Sequence, residues 1–360
     1  MPDNAPRRRK MTLPGLSAKV AFLRRPDSYP EQVGRVEALE THMSWLFLTE
    51  RHVYKLKKPF CHDLIDYGTP AARRLNCQRE LRLNRRLAPD VYLAVVALTV
   101  NAAGRLELNG DGRRIDWLVK MRRLPSELTL EHRLRTGTPD AVDAHRIMAR
   151  LMSFFADAPR ARWTPVAYRR RLTASIEATA GELARQEFGL ARRRIAALAT
   201  TLRQFVDAHA DLLDARVRAG HIVEGHGDLR PEHIYLTELP TIVDCIEFDR
   251  DLRLRDPVDE LAFLAMECSR LDGPEPADWL FDAYRELSGD NPPGTLVEFH
   301  AAHNAFVRAK IAIWHLDDPH PGMPRHWIAC ANDYLYRARC HANRMSRSPA
   351  GTTHHTTVKR

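Results

Sequence analysis

The chain has 360 residues and a mass of 41.2 kDa, and 44% of its residues are hydrophobic, which is enough to fill sizeable cores. Charged residues make up 28% of the sequence and no fixed-period repeat occurs, so a disordered chain and a repeat array are excluded. The net charge of +9 has no basic-aromatic module beside it, and we therefore expect solvated arginine-rich helices and no nucleic-acid partner.

The acidic residues are concentrated in one part of this basic chain. The segment 224–272 holds 13 Asp and Glu against 5 Arg and no Lys. Such an anionic segment in a basic protein suggests a metal-bearing site.

Targeting and redox signals are weak along the chain. The six cysteines include no C-x-x-C pair, the basic start has no apolar region behind it, and no run of 18 apolar residues occurs. We expect a cytoplasmic protein that does not enter a membrane. Polar, aperiodic ends predict disorder over 1–15 and over 346–360, where His354 and His355 lie.

Residues 16–124 predict a small lobe rich in β-strands. A hairpin is expected over 45–58 (WLFLTERHVYKLKK), a helix over about 70–88, and strands over 92–100 and 115–121. The order of elements is therefore β-β-α-β-β.

Residues 125–345 predict a larger, mainly helical lobe. Within it, 221–262 forms a short mixed insertion in which HIYL and TIVDCIEF look like short strands around a polar loop. The long helical patterns are ELTLEHRL, AHRIMARLMSFFA, 168–219, 276–287, 295–316 and 324–345.

The strongest chemical signal is HGDLRPEH, His226 to His233. Phosphoryl transfer to a hydroxyl needs a carboxylate beside that hydroxyl and a metal ligand a few residues later on the same loop. Asp228 suits the first role as the catalytic base, with His226 and Arg230 supporting the loop. His233 occupies the ligand position, although Mg²⁺ prefers oxygen donors to an imidazole nitrogen.

The next strand, TIVDCIEFD, supplies a second group of acids. In an extended segment Glu247 and Asp249 point to one face and Asp244 to the other, so the three cannot all bind one metal ion. Glu247 is the preferred Mg²⁺ ligand, Asp249 is second, and Asp244 stays open as an alternative; solvated turn acids are the competing interpretation.

HGDLRPEH, followed by IEFD and RDPVDELAFL, resembles the aminoglycoside phosphotransferase family of the protein-kinase-like superfamily. VYKLKKP, RELRLNRRLAP and VEGHGDLRPEHIYL are similar to an uncharacterised bacterial branch whose members are sometimes fused to a P-loop domain, although no G-x-x-x-x-G-K-S/T occurs in this sequence. The resemblance implies a two-lobed, protein-kinase-like α+β fold, Mg²⁺, and ATP or GTP as co-substrate.

The resemblance also assigns the nucleotide-binding lysine to Lys55, with Lys57 on the same strand face as an alternative. Glu80 shares an apolar helix face, where a carboxylate needs a partner, and Lys55 can supply it. A lysine–glutamate pair of this kind fixes a lysine against the nucleotide phosphates in kinase-like enzymes.

Other nucleotide contacts are less specific. No G-x-G-x-x-G precedes the lysine strand, so Thr41 and Ser44 of ETHMSW are candidate phosphate contacts, and a plain turn is an equal alternative. The backbone near Met121 is expected to face the base. Asp256 and Glu260 match family positions that steady the catalytic loop, although helix capping alone would explain Asp256.

These residues predict a Mg²⁺-dependent phosphotransferase acting on a small hydroxylated metabolite or an aminoglycoside-like acceptor. The alternative is a catalytically weak nucleotide-sensing protein, which His233 and the missing glycine loop favour. No long activation segment lies between Glu247 and Arg255, which argues against a protein kinase. The polar stripe of His300, Asn304 and Arg308 is a candidate acceptor wall or a solvated face.

Overall fold

A computed structural model describes residues 13–62, 65–137, 140–272, 275–317 and 323–346. Nearly all of the two ends predicted to be disordered, including His354 and His355, lies outside these residues. The chain divides into two compact units. Unit 1 is Met1–Ser126 with Thr241–Arg250, and unit 2 is Glu127–Pro240 with Asp251–Arg360. The segment 241–250, predicted as part of the helical lobe, therefore belongs to unit 1.

Unit 1 is built on an antiparallel sheet of six strands in the order β1-β2-β3-β8-β6-β7. The predicted hairpin is present as β2 and β3, whose register places Lys55 opposite Leu46. The elements are α1 (Leu16–Leu23), β1 (Glu37–Glu40), β2 (Ser44–Leu48), β3 (His52–Lys57), β4 (Cys61–His62), β5 (Ile65–Asp66), α2 (Pro70–Asn84), β6 (Tyr92–Val100), β7 (Leu106–Leu108) and β8 (Arg113–Arg122).

Each face of this sheet has its own apolar core. Tyr54 and Leu56 of β3 pack with Leu23 of α1 on one face. Cys77 of α2 packs with Val119 of β8 on the other. Because side chains alternate along a strand, the lysines between and after these β3 residues face α2. The sheet thus presents Lys55 and Lys57 to one side of a single helix.

Helix α2 begins where its sequence predicts a start. The Thr69 hydroxyl accepts a hydrogen bond from the Ala72 N–H at 3.1 Å, and Pro70 occupies the first turn, where a missing N–H costs nothing. The helix buries Cys77, Glu80 and Leu83 against the sheet. A glutamate on this face has to be neutralised by partners from the sheet.

Unit 2 is mainly helical, as predicted, and the α+β class of the chain is confirmed. The three late helices appear within one or two residues of their predicted bounds. The helices are α3 (Leu130–Thr136), α4 (Ala141–Asp157), α5 (Pro165–Leu183), α6 (Arg192–Ala208), α7 (Ala210–Arg218), α8 (Pro257–Asp272), α9 (Glu275–Ser288), α10 (Gly294–Trp314) and α11 (Pro324–Met345).

Short strands frame the polar loop of the mixed insertion. They are β9 (Val223–Glu224), β10 (Ile234–Tyr235), β11 (Thr241–Ile242) and β12 (Leu254–Arg255), and β9 pairs antiparallel with β12. The predicted strand TIVDCIEF is wrong beyond Ile242, because Asp244 adopts a left-handed conformation with φ of +63° that ends the extended backbone. The rest of the segment is irregular.

Candidate active-site residues

In unit 1, two lysines share one buried carboxylate. Lys55 Nζ lies 2.9 Å from Glu80 Oε1 and Lys57 Nζ lies 2.6 Å from Glu80 Oε2. Glu80 is fully buried, and the side chains of Lys55 and Lys57 are 14% and 1% exposed. The lysine–glutamate pair expected from the sequence is therefore formed, and Lys57 takes part in it alongside Lys55.

Each lysine also pairs with an acid of the segment 241–250. Lys55 Nζ lies 2.7 Å from Asp244 Oδ1, whereas Lys57 contacts Glu247. The Tyr67 hydroxyl donates to the same Glu247 carboxylate, and the Tyr67 ring centroid is 4.9 Å from Lys57 Nζ. We refer to Lys55, Lys57, Glu80, Asp244 and Glu247 as the lysine–acid cluster.

The irregular backbone after β11 is held by side chains of the sheet and α2. The Asp244 N–H donates to the Tyr92 hydroxyl at 3.1 Å, and the Cys245 N–H donates to Asn84 Oδ1 at 2.8 Å. A non-glycine residue at positive φ is uncommon and costs free energy, so these contacts stabilise a conformation that the local sequence disfavours. The conformation brings both Asp244 and Glu247 to the lysines, which an extended strand would not do.

Burial and charge act in opposite directions in this cluster. Burial alone would raise the pKa of Glu247, but the positive charges of Lys57 and Lys55 outweigh it and lower that pKa. Burial would lower the pKa of Lys55, yet Asp244 and Glu80 raise it well above its usual value. Counted as two ammonium groups and three carboxylates, the cluster carries a formal net charge of −1.

The three acids differ in their suitability for a metal ion. Glu247 is 7% exposed and is engaged by Lys57 and Tyr67, whereas the Asp244 side chain is 45% exposed. Asp249 is partly exposed in the same segment. Mg²⁺ in kinase-like sites uses one or two carboxylates and completes its shell with water and phosphate oxygens. Asp244 fits that requirement better than Glu247, the acid preferred from sequence.

The remaining nucleotide candidates have less accessible positions. Thr41 and Ser44 close a turn on each other: the Ser44 N–H donates to Thr41 Oγ1 at 3.0 Å, and the Thr41 N–H donates to the Ser44 carbonyl at 2.8 Å. Ser44 is 2% exposed. Met121 lies within β8, opposite Val53 on one side and Tyr92 on the other. The contacts between Thr41 and Ser44 agree with the turn interpretation.

In unit 2, a buried carboxylate holds the polar loop. Glu260 is 1% exposed and accepts hydrogen bonds from the N–H groups of His226 at 3.0 Å and Gly227 at 2.5 Å. Gly227 has φ of +88°, and a Cβ on Gly225 would lie 2.7 Å from the Glu260 carboxyl group. Glycines at these positions allow the loop backbone to approach the carboxylate. Burial raises the pKa of Glu260.

Two histidines bracket Asp228, whose side chain is 27% exposed. The Asp228 N–H donates to His226 Nδ1 at 3.3 Å, and His233 Nδ1 lies 2.9 Å from the Asp228 carbonyl oxygen. A carbonyl only accepts, so His233 Nδ1 carries a proton and, in the neutral ring, Nε2 carries the lone pair. His226 is fully buried, which suits a bracing role.

Arg230 and Asp256, which were also predicted to support the loop, make different kinds of contact. Arg230 contacts Glu232 and lies 4.0 Å from Asp228 Oδ2. Asp256 instead caps α8 through the Val258 N–H at 2.9 Å and binds Arg216 through two hydrogen bonds of 2.8 Å. These contacts of Asp256 anchor a helix start rather than the loop itself.

The polar stripe on α10 contacts two different buried acids. His300 and Asn304 are buried and face Asp259, with Asn304 Nδ2 2.8 Å from Asp259 Oδ1 and His300 Nδ1 3.4 Å from the same oxygen. Arg308 lies one turn further and contacts Glu267, 3.5 Å away. A solvated face is therefore excluded for His300 and Asn304.

Two absences hold for the part of the chain that the structure describes. No group of three or more His, Cys, Asp and Glu side chains there has the geometry to hold a metal ion unaided. No helix among these residues has both the length and the apolar character needed to cross a membrane.

Sequence comparison gives relatives without an assigned activity. No protein-family model matches the chain. Uncharacterized proteins of Mycobacterium tuberculosis and Mycobacterium bovis are 32% identical to it over 284 residues, which are 77% of this chain and 54% of each relative. The chain thus spans about half the length of the curated relatives it matches, and the predicted fusion of some relatives to a P-loop domain stays a prediction.

Solved structures resemble most of the chain. A choline kinase from Cryptosporidium parvum has a TM-score of 0.56 at 11% identity, covering 91% of this chain and 95% of its own. A choline/ethanolamine kinase family protein from Mesorhizobium loti has a TM-score of 0.52 at 15% identity, covering 92% of this chain and 95% of its own. A GDP complex of aminoglycoside 2'-phosphotransferase-IIIa has a TM-score of 0.51 at 16% identity, covering 88% of this chain and 95% of its own. The chain has a protein-kinase-like fold.

Three residues that hold the segment 241–250 could not be identified from the sequence. Tyr67, Tyr92 and Asn84 contact the segment 241–250 from more than 150 positions away. No periodicity or motif connects residues at such separations. Lys57 did have a signal, because it shares the strand face of Lys55.

Proposed function

We propose that this chain is a phosphotransferase that moves the γ-phosphate of ATP or GTP to a hydroxyl group of a small molecule, with Mg²⁺ as the metal. The observation that carries the proposal is the lysine–acid cluster, in which Lys55 is fixed by buried Glu80 and by accessible Asp244. In kinase-like enzymes such a lysine binds the α- and β-phosphates, and an acid beside it holds the metal ion.

The charge of the cluster supports a metal-dependent nucleotide site. Its net charge of −1 would repel a bare nucleoside triphosphate. Asp244 would hold Mg²⁺, which when bound supplies positive charge to phosphate oxygens. We therefore expect ATP and GTP to raise the melting temperature only with Mg²⁺ present, and Asp244→Asn to weaken that dependence.

The loop of unit 2 supplies the groups expected to act on the acceptor. Asp228 orients the acceptor hydroxyl and accepts its proton as the bond to phosphorus forms. Glu260 and His226 hold the loop backbone so that the carboxylate of Asp228 keeps one orientation. The acceptors named for the structural neighbours, aminoglycosides and choline, are the starting candidates, together with other small hydroxylated metabolites.

The cytoplasm is the expected compartment, because ATP, GTP and Mg²⁺ are available there. All six cysteines are free thiols in the structure.

The test is release of ADP and GDP by the purified protein with Mg²⁺ against a panel of sugars, hydroxylated amines and aminoglycosides. Asp228→Asn should abolish acceptor-dependent release and keep nucleotide binding, and Lys55→Met should weaken nucleotide binding. Glu238→Gln, the same kind of change at an exposed position ten residues further along the chain, is the control for Asp228→Asn. Retained turnover in Asp228→Asn would contradict the assigned base.

A nucleotide-sensing protein is the second candidate, and the position of His233 favours it. An imidazole whose Nδ1 proton is held by the Asp228 carbonyl stands where an oxygen ligand would suit Mg²⁺ better. This candidate predicts Mg²⁺-dependent nucleotide binding with no release of ADP or GDP for any acceptor, and a single good acceptor removes it.

A further inference from the structure

Tyr67 contacts both members of a buried ion pair in unit 1. Its hydroxyl donates to Glu247 Oε1, the same oxygen that Lys57 Nζ contacts. Its ring centroid lies 4.9 Å from Lys57 Nζ, which is close enough for a cation–π interaction. Tyr67 is fully buried, so water does not compete for these contacts. One side chain thus holds the anion and the cation of the pair together.

The backbone of Tyr67 is held independently of the lysine–acid cluster. Its N–H donates to the Phe60 carbonyl at 2.8 Å, and its carbonyl accepts from Arg73 Nη1 at 2.6 Å. Arg73 in turn binds Asp116 through Nε at 2.6 Å and through Nη2 at 3.0 Å, and Asp116 is 2% exposed. Because its supports are themselves buried and hydrogen-bonded, Tyr67 presents its hydroxyl from a fixed position.

Direct contacts lead from Tyr67 to the lysine proposed to bind the nucleotide. Glu247 contacts Lys57, and Lys57 Nζ lies 2.6 Å from Glu80 Oε2. The other oxygen of Glu80 lies 2.9 Å from Lys55 Nζ. Since each group touches the next in a buried network, the orientation of Glu247 affects that of Glu80 and of Lys55.

The hydroxyl of Tyr67 determines how firmly Glu247 is held. Lys57 approaches the carboxylate from β3, whereas Tyr67 approaches it from the segment before α2. Two donors from different elements restrict a carboxylate more than one donor does. Removing the hydroxyl would therefore loosen Glu247 while leaving its ion pair with Lys57 in place.

Resting on the proposed function, we propose that Tyr67 is a positioning residue of the nucleotide site. Its hydroxyl fixes the Glu247 carboxylate on Lys57. Through Lys57 and Glu80 this contact keeps the Lys55 ammonium group in the orientation that binds the nucleotide phosphates. Tyr67 itself touches neither the nucleotide nor the metal ion in this assignment, so its loss weakens nucleotide binding without removing a catalytic residue.

The test uses two variants that each delete one buried hydroxyl. Tyr67→Phe keeps the ring beside Lys57 and removes the contact with Glu247. Tyr54→Phe is the matched control, because Tyr54 is 1% exposed and its hydroxyl donates to a glutamate, Glu31 Oε1, at 2.8 Å on the opposite face of the sheet. Titration calorimetry with Mg²⁺ measures the dissociation constants of ADP, GDP and non-hydrolysable ATP and GTP analogues. Circular dichroism checks that each variant is folded.

We expect Tyr67→Phe to raise the dissociation constant of the bound nucleotide about three- to tenfold, and Tyr54→Phe to change it by about twofold or less. In a Glu247→Gln background the Tyr67→Phe change should have an effect of about twofold or less, because the carboxylate that the hydroxyl positions is absent. The inference is overturned if Tyr67→Phe binds nucleotide like Tyr54→Phe, or if its effect is as large in the Glu247→Gln background. If Glu247→Gln abolishes binding, the comparison with Tyr54→Phe decides alone.

The same titrations separate this inference from the proposed function. If no nucleotide binds the wild type, or if Lys55→Met binds it equally well, the nucleotide site is removed and the role of Tyr67 is removed with it. If Lys55→Met loses binding while Tyr67→Phe matches Tyr54→Phe, only the positioning role is removed. Where an acceptor gives turnover, Tyr67→Phe should raise KM for the nucleotide about as much as the dissociation constant and change kcat by about twofold or less.

Discussion

Replacing Lys57 with methionine tests whether the two lysines of the cluster have different roles. Lys57 is 1% exposed and neutralises Glu80 and Glu247, which are 0% and 7% exposed. Breaking a buried ion pair by removing one partner costs about 3–5 kcal/mol, because the other charge stays buried. Since domains are stable by only about 5–15 kcal/mol, Lys57→Met should lose a large part of the stability of unit 1.

Lys55→Met is the matched comparison. Glu80 keeps Lys57 as its partner, and Asp244 is nearly half exposed and is solvated when Lys55 is removed. We expect a cost of about 1 kcal/mol or less, together with loss of nucleotide binding. Urea denaturation followed by circular dichroism and tryptophan fluorescence measures both stabilities, and nucleotide-induced stabilisation measures binding.

A double variant isolates the cause of the loss. In Lys57→Met/Glu247→Gln the uncompensated carboxylate is removed as well, so part of the stability should return. Equal destabilisation by Lys57→Met and Lys55→Met, or no recovery in the double variant, would refute the division into a structural lysine and a nucleotide-binding lysine.

Three further predictions concern unit 2. Gly227→Ala forces a side chain into φ of +88° and should cost about 1 kcal/mol and most of the turnover, measured by urea denaturation and ADP release; full activity would contradict the loop assignment. Arg216→Met leaves Asp256, which is 1% exposed, without its bidentate partner, and urea denaturation should show a loss of about 3–5 kcal/mol in the free energy of unfolding. Arg218→Met, a change of an exposed arginine, should lose about 0.5 kcal/mol or less, and similar losses in the two variants would argue against the buried pair. Burial lowers the pKa of His303 to about 3, so as the pH drops below about 6.5 the unfolded chain is protonated at this residue before the folded chain, and the free energy of unfolding falls. Between pH 7 and 5 the wild type should lose roughly 2 kcal/mol more stability than His303→Gln, and parallel stability curves for the two proteins would refute this.

Local patterns were sufficient for the parts of the site that lie on regular elements. The alternation of β3 puts Lys55 and Lys57 on one face, and the position of Glu80 on an apolar helix face demands a cationic partner. These two facts predict the pair that the structure contains. The motif around Asp228 likewise predicts a polar loop before a short strand, which is present as β10.

The acids after β11 could not be assigned in this way, because their positions depend on one backbone torsion. Extended backbone would turn Asp244 and Glu247 to opposite faces, and the sequence favours Glu247 as the metal ligand because it lies at the exit of the apolar strand. The left-handed conformation of Asp244 turns both acids toward the lysines, and it is stabilised by the Tyr92 hydroxyl. Sequence patterns do not predict a positive φ at an aspartate, since that conformation is unfavourable locally and persists through tertiary contacts.

The same torsion explains why two lysines and three acids are present rather than a single lysine–glutamate pair. The turn at Asp244 delivers Glu247 into a buried position, where it requires a full positive charge of its own. Lys57 provides that charge and also contacts Oε2 of Glu80, whereas Lys55 contacts Oε1 of the same carboxylate. If Lys55 and Asp244 bind the nucleotide and the metal ion as proposed, Lys57 still pairs with Glu80, so Glu80 is not left unpaired.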